Sequence, residues 1–444
     1  MASILSIDAS QRLDSRGNPT VQVVITTKDG VFKSIVPSGA SKGDYEAIEI
    51  RDADNSKFDG MGVLKAVENV KSILGPKLLE QGFKLPGDVE DIDRFMVEFD
   101  GSKDKARLGA NAILGISMAL WRAAAACKGV PLYEFVRQHA GTVKPYVMPV
   151  PFFNVLNGGV HSGNTMAFQE FMIAPVGAKS VENAVQMGVE VYHKLKKLIT
   201  KNYGASATGV GDEGGFAPPI TYPHEALDLL VTAIDECGYN SKIKIGIDPA
   251  STEFFHEDEG TYDMAFKQPN ADSATKQKER RTVPEMSKLY HELLDKYPIV
   301  LLEDPFAQDD WSTWTSFNND CPVELVGDDL LATNKQRITK AHELKACNSL
   351  LLKINQIGTI TEAIDAAKQA YSYGWSVFVS HRSGETTDDF IADLTVGLRT
   401  GHLKSGSPCR GERVAKYNRL MDIEEELMGA SIFAGEDFRG SVKL

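Results

Sequence analysis

Short runs of branched apolar residues recur through the second half of this chain, and each ends on a side chain able to do chemistry. Lys244-Ile-Gly-Ile-Asp248 and Ile299-Val-Leu-Leu-Glu303 come first; Glu324-Leu-Val-Gly-Asp328, Leu350-Leu-Leu-Lys353 and Ser376-Val-Phe-Val-Ser380-His381 follow, with Lys404 beyond. From Glu303 onward the terminal residues advance by about 25 positions, room for one strand, one helix such as Thr361–Ser372, and two loops. Strands without polar alternation, separated by amphipathic helices, form a parallel sheet covered on both faces. A closed β/α barrel suits the pattern better than an open sheet, because a barrel gathers all its strand C-termini at one mouth. The polar, charged stretch from His256 to Arg281 interrupts the rhythm and reads as a strand-poor, exposed excursion.

The first part is organised differently. Val21–Thr27 and Val31–Val36 are β-branched runs meeting at Asp29-Gly30, a hairpin signal. Helical patterns follow over Val63–Leu79, Ile92–Phe99 and Gly109–Cys127, with a linker at Ala140–Pro145. The expectation is α/β overall: an N-terminal α+β domain over residues 1–142 (an antiparallel meander plus helices) and an eight-fold β/α barrel over 143–444. With 444 residues, 42% of them hydrophobic, the chain has apolar material for a core of that size. Sixty-one acidic residues against 48 basic ones disfavour nucleic acid and anionic membrane surfaces as partners. The most apolar stretch, Leu108–Cys127, holds Asn111, Ser117 and Arg122, which suits a buried helix better than a membrane span. Five scattered cysteines without a CxxC pair, and no basic, apolar leader, predict a reduced, cytoplasmic protein.

Asp248, Glu303 and Asp328 each end an apolar strand. One such carboxylate reads as a helix cap; three in register favour a shared divalent cation, Mg²⁺ rather than zinc for an all-oxygen donor set. Lys353, inside an apolar run, is predicted to lose basicity through burial and nearby cations, and so to serve as a base; a structural ion pair with a barrel carboxylate is the alternative. Gly209-Val-Gly-Asp-Glu-Gly214 contains a literal GxGxxG, but Phe216-Ala-Pro-Pro219 opens no helix and Asp212-Glu213 would repel a pyrophosphate. A loop presenting Glu213 is the better reading, with Glu170 as a partner that shares its proton. Ser380-His381-Arg382-Ser383-Gly384 suits a phosphate, and Lys404 a carboxylate. Asn157–Gly163, which carries His161, and Ser38–Gly43 have the small residues of mobile lids; alone, His161 reads as a structural histidine.

Together these motifs closely resemble the enolase family, in order and over nearly the whole chain. The resemblance rests on DSRGNPT (14–20), VPSGAS (36–41), LGANAILG (108–115), FQEFMIAP (168–175), GDEGGFAP (211–218), LLEDPF (301–306), LLLKINQIGT (350–359) and SHRSGET (380–386). It implies a barrel that opens ββαα, a homodimer, and dehydration of 2-phosphoglycerate to phosphoenolpyruvate. It assigns Asp248, Glu303 and Asp328 to one Mg²⁺ and Ser41 to a second that arrives with substrate. Lys353 matches the base, Glu213 with Glu170 the acid side, and His161, His381, Arg382, Ser383 and Lys404 the substrate contacts. The chain departs from the family pattern at Lys42, Ser405 and Gly411, where Thr, Thr and Ser are usual, and Lys42 predicts an altered KM through the lid. A related acid-sugar dehydratase or racemase would share the three carboxylates but lack the SHRSG segment. A purely structural or surface-binding role would be marked by disabled catalytic positions, and none is seen.

Overall fold

The computed structural model describes residues 1–39, 43–268 and 270–440; Ser41 and Lys42 lie outside the described residues. The chain opens with an antiparallel meander of Ala2–Leu13, Pro19–Thr27 and Gly30–Ile35, edged by Lys84–Leu85. The hairpin closes at Asp29-Gly30, with Thr27 opposite Gly30. One face of the meander, including Val21, Val23 and Ile25, is fully buried beneath the Ala110–Lys128 helix. Among the described residues this is the one helix long and apolar enough to cross a membrane, and it is buried as a core helix. The helical pattern at Val63–Leu79 forms as Leu64–Glu68 and Gly75–Gln81 joined through a wider π turn. Arg122 ties this unit to the remainder, donating to Asp388 at 2.8 Å twice and to Asp389 at 2.9 Å.

The remainder is a closed eight-stranded barrel. Its strands are Val150–Asn157, Glu170–Ala174, Lys244–Asp248, Ile299–Glu303, Glu324–Gly327, Ser349–Leu352, Ser376–Ser380 and His402–Lys404. Successive side chains divide between two cores, as expected for strands buried on both faces. Leu301, Val326, Leu351 and Phe378 fill the interior with Phe152 and Met172, while Leu302, Leu325, Leu350 and Val377 pack outward in the larger core. The second strand runs antiparallel to both neighbours, and two helices, Val181–Tyr203 and Pro223–Glu236, precede the third. This is the ββαα opening that the resemblance implies. Reversal puts the first residue of the second strand, Glu170, level with Asp248 at the end of the third.

The excursion at 256–281 departs from expectation. It carries a three-stranded antiparallel sheet (Phe255–His256, Thr261–Asp263, Arg280–Thr282) and buries Tyr262, Met264 and Ala265. Strands of two or three residues are too short to show alternation, so composition outweighed pairing in the sequence reading.

Candidate active site

Strand C-termini and the reversed Glu170 converge on a polar cavity at the barrel mouth. Asp248, Asp328, Lys353 and Lys404 line it, as do Glu170, Glu213, His161, His381, Arg382 and Ser383; Glu303 lies just beneath, fully buried. The Lys404 ammonium donates to both Glu303 oxygens at 2.7 Å and to Glu170 at 3.1 Å, and stands 3.9 Å from Asp248. Lys353 Nζ donates to Asp328 Oδ2 at 2.5 Å, and Gln356 Nε2 to Asp328 Oδ1 at 2.9 Å. The described sequence-derived candidates therefore all meet around one space.

Across the cavity, Glu213 sits in a turn pressed against the His161 segment. A Cβ at Gly211 would lie 2.5 Å from the His161 carbonyl, so only glycine permits that approach. Glu213 accepts from Asn154 Nδ2 at 2.8 Å and has His161 Nδ1 at 3.5 Å and His381 Nε2 at 3.2 Å. Glu170 is 3.9 Å from the same His161 nitrogen. The pair titrates apart. Burial, then repulsion from Glu213, raises Glu170; burial also works on Glu213, but His381 and His161 outweigh it and hold Glu213 well below the carboxylate range. Of the two, Glu170 is the weaker acid.

Lys353 makes the ion pair with a barrel carboxylate that the sequence left open as its alternative. Burial does lower its basicity, but the Asp328 charge at 2.5 Å wins over burial, Arg382 and Lys404 together, and the ammonium form is favoured. Arg382 is likewise engaged: Glu46, from the N-terminal unit, accepts from it at 3.0 and 3.2 Å, and Asn355 at 2.8 Å. Sequence reasoning missed Glu46, Asn154, Gln356, Asp304 and Asp329. The last two were visible only as second acids in Glu303-Asp304 and Asp328-Asp329. Asp304 accepts the backbone N–H groups of Asp328 and Asp329 at 2.9 and 2.7 Å, which fixes the turn after the fifth strand.

The donor set fits a hard divalent cation. Among the described residues, eight carboxylates and three lysine or arginine side chains line the cavity. Burial pushes Asp248 far up, with the Glu303 charge adding to it; burial raises Glu303 to about 8 despite Lys404. Buried oxygens that resist ionisation for want of positive charge are what a Mg²⁺-type ion compensates. The ligand atoms within 4.8 Å of one another belong to two groups, Asp304–Asp328–Asp329 and His161–Glu170–Glu213. Asp248 and Glu303 instead share the Lys404 ammonium, and Asp328 pairs with Lys353.

Comparison with protein families decides the affiliation. The model described as Enolase, N-terminal domain, matches residues 4–136, and that described as Enolase, C-terminal TIM barrel domain, matches 145–442. The chain belongs to the enolase family. An enolase-type lyase acts on a small molecule, in keeping with a cavity lined by charged side chains. The enolase barrel is also where every described candidate side chain is found, each on the face where barrel chemistry sits.

Proposed function

We propose that this enolase-family lyase reversibly dehydrates 2-phospho-D-glycerate to phosphoenolpyruvate. Residues 1–142 form a cap and 143–444 the catalytic barrel of a cytoplasmic homodimer. His381, Arg382 and Ser383 take the phosphate, His161 closes over the ligand, and Lys404 faces its carboxylate. Asp248, Glu303 and Asp328 hold one Mg²⁺, and Ser41 a second that arrives with substrate. When bound, the two ions supply electrostatic stabilisation of the doubly charged aci-carboxylate and so make the C2 proton acidic enough to remove.

The protein's own groups move the protons. Lys353 Nζ accepts the C2 proton, for which it must first be neutral. Asp328 is the group that keeps it charged; once Asp328 is engaged elsewhere, Arg382 and Lys404 favour the free amine. The C3 hydroxyl leaves as water after taking a proton from the Glu213–Glu170 pair. Proton loss at C2 and hydroxyl loss at C3 sum to one water.

The observation that carries this reading is the gathering, around one cavity, of two amines and a carboxyl pair with divergent acidities. Adding 2-phosphoglycerate to the protein with Mg²⁺ should raise absorbance at the enol-phosphate band, and chelation should stop it. Absence of product with Mg²⁺ present, or turnover of an unphosphorylated sugar acid instead, would overturn the assignment.

A further inference from the structure

Arg413 lies on the helix Gly411–Glu426, is fully buried, and does not line the cavity. Its side chain nevertheless touches both loops that carry the chemistry. One terminal nitrogen donates to the Arg382 carbonyl at 2.5 Å and contacts His381 Nδ1 at 2.6 Å. The other donates to the carbonyls of Asp212, at 3.0 Å, and Ser383, at 2.6 Å. These four partners use all four terminal N–H bonds. Gly406 leaves room for the arginine: a Cβ there would stand 2.9 Å from Arg413 Cδ and 2.7 Å from the Glu213 carbonyl.

A guanidinium only donates and does not deprotonate in proteins. The 2.6 Å contact therefore requires a lone pair on His381 Nδ1, which an imidazolium lacks. In the neutral ring the proton then sits on Nε2. That atom is buried, 3.2 Å from Glu213 Oε2, and has no aligned hydrogen-bond partner among the described residues.

We infer that Arg413 is a positioning residue that fixes His381 as the Nε2–H tautomer and thereby presents that N–H to the ligand beside the Glu213 carboxylate. The pattern of acidities agrees: burial, with Arg413 adding to it and Glu213 opposing, lowers His381 to about 4, so the ring is neutral at pH 7. The second half of the inference rests on the proposed role of Glu213. The tautomer does not.

The test uses the full-length protein with ¹⁵N-labelled histidine, in Mg²⁺ at pH 7. Long-range ¹⁵N–¹H correlations distinguish the two tautomers and the cation, and His381→Asn assigns the resonance by removing it. The wild-type protein should show a protonated Nε2 and a bare Nδ1. Arg413→Lys, with too few donors for the four acceptors, should populate the Nδ1–H form and lower kcat at least tenfold with KM changed less than threefold. An Nδ1–H ring or an imidazolium in the wild-type protein overturns the inference, even where Arg413→Lys fails to fold. So does a folded Arg413→Lys that keeps both the tautomer and kcat. Failure of the dehydratase assay with the Nε2–H tautomer present would remove the proposed function and leave the tautomer standing.

Discussion

Lys267 reaches from the 256–281 excursion to the segment that carries His161, and replacing it with methionine should loosen that segment alone. Its ammonium donates to the Gly159 carbonyl and, at 2.6 Å, to the Ser162 carbonyl, one on each side of His161. Burial lowers the basicity of the amine, the mark of partial removal from water. A hydrogen bond from a charged donor contributes about 1.5–3 kcal/mol net. Two bonds sharing one half-hydrated amine are not additive, so a combined value of about 2 kcal/mol is the reasonable figure. At roughly 1.4 kcal/mol per decade this is about thirtyfold in the opening equilibrium of the segment. Methionine keeps the apolar stem and removes the donors. Amide hydrogen exchange over residues 159–164 should therefore quicken about thirtyfold in Lys267→Met while the barrel strands keep their protection. KM for 2-phosphoglycerate should rise, and Lys267→Arg should restore part of both effects. Equal exchange and equal KM in the wild-type and Lys267→Met proteins would refute the reasoning.

Three further outcomes follow from the same geometry. Lys404→Met leaves the fully buried Glu303 without its partner and should cost about 3–5 kcal/mol in urea denaturation without metal, partly recovered by Mg²⁺; a loss under about 1 kcal/mol would mean the ammonium is not needed there. Asp248→Asn should weaken Mg²⁺ binding at least tenfold by calorimetry with the circular dichroism spectrum unchanged, and unaltered affinity would remove Asp248 from the cation set. Burial raises the Asp388 carboxyl, but Arg122 outweighs it, so the folded group titrates below its unfolded value. Its stabilising contribution is present above the ordinary carboxylate range and is lost as pH falls through the lower, folded value. Thermal stability should therefore drop less steeply below pH 4 in Asp388→Asn than in the wild-type protein, and parallel slopes would contradict the pairing.

The barrel was legible because parallel strands buried on both faces leave continuous apolar runs, and because a closed barrel gives the residue after each run a common address. Asp248, Glu303, Asp328, Lys353 and Lys404 all obey that rule. Strand direction was not legible in the apolar pattern itself, apart from the family resemblance. Glu170–Ala174 reads as apolar either way round, and only its pairing shows that it is reversed and that its first residue faces the mouth. Which carboxylate pairs with Lys353 was not legible, because spacing along the chain carries no such distance. Arg413 and Lys267 were invisible for a related reason. Both act on backbone carbonyls of distant segments, and a carbonyl has no letter in the sequence. Glu46 reaches Arg382 across the boundary between the two units, a contact that neither segment announces.

Exchange of the C2 hydrogen of 2-phosphoglycerate with solvent deuterium, followed by proton NMR in the presence of Mg²⁺, separates the amine face from the carboxyl face. Lys353→Ala should abolish exchange, whereas Glu213→Gln should largely keep it while water loss stops. Equal loss of exchange in the two variants would contradict the division of labour between the lysine and the glutamate pair.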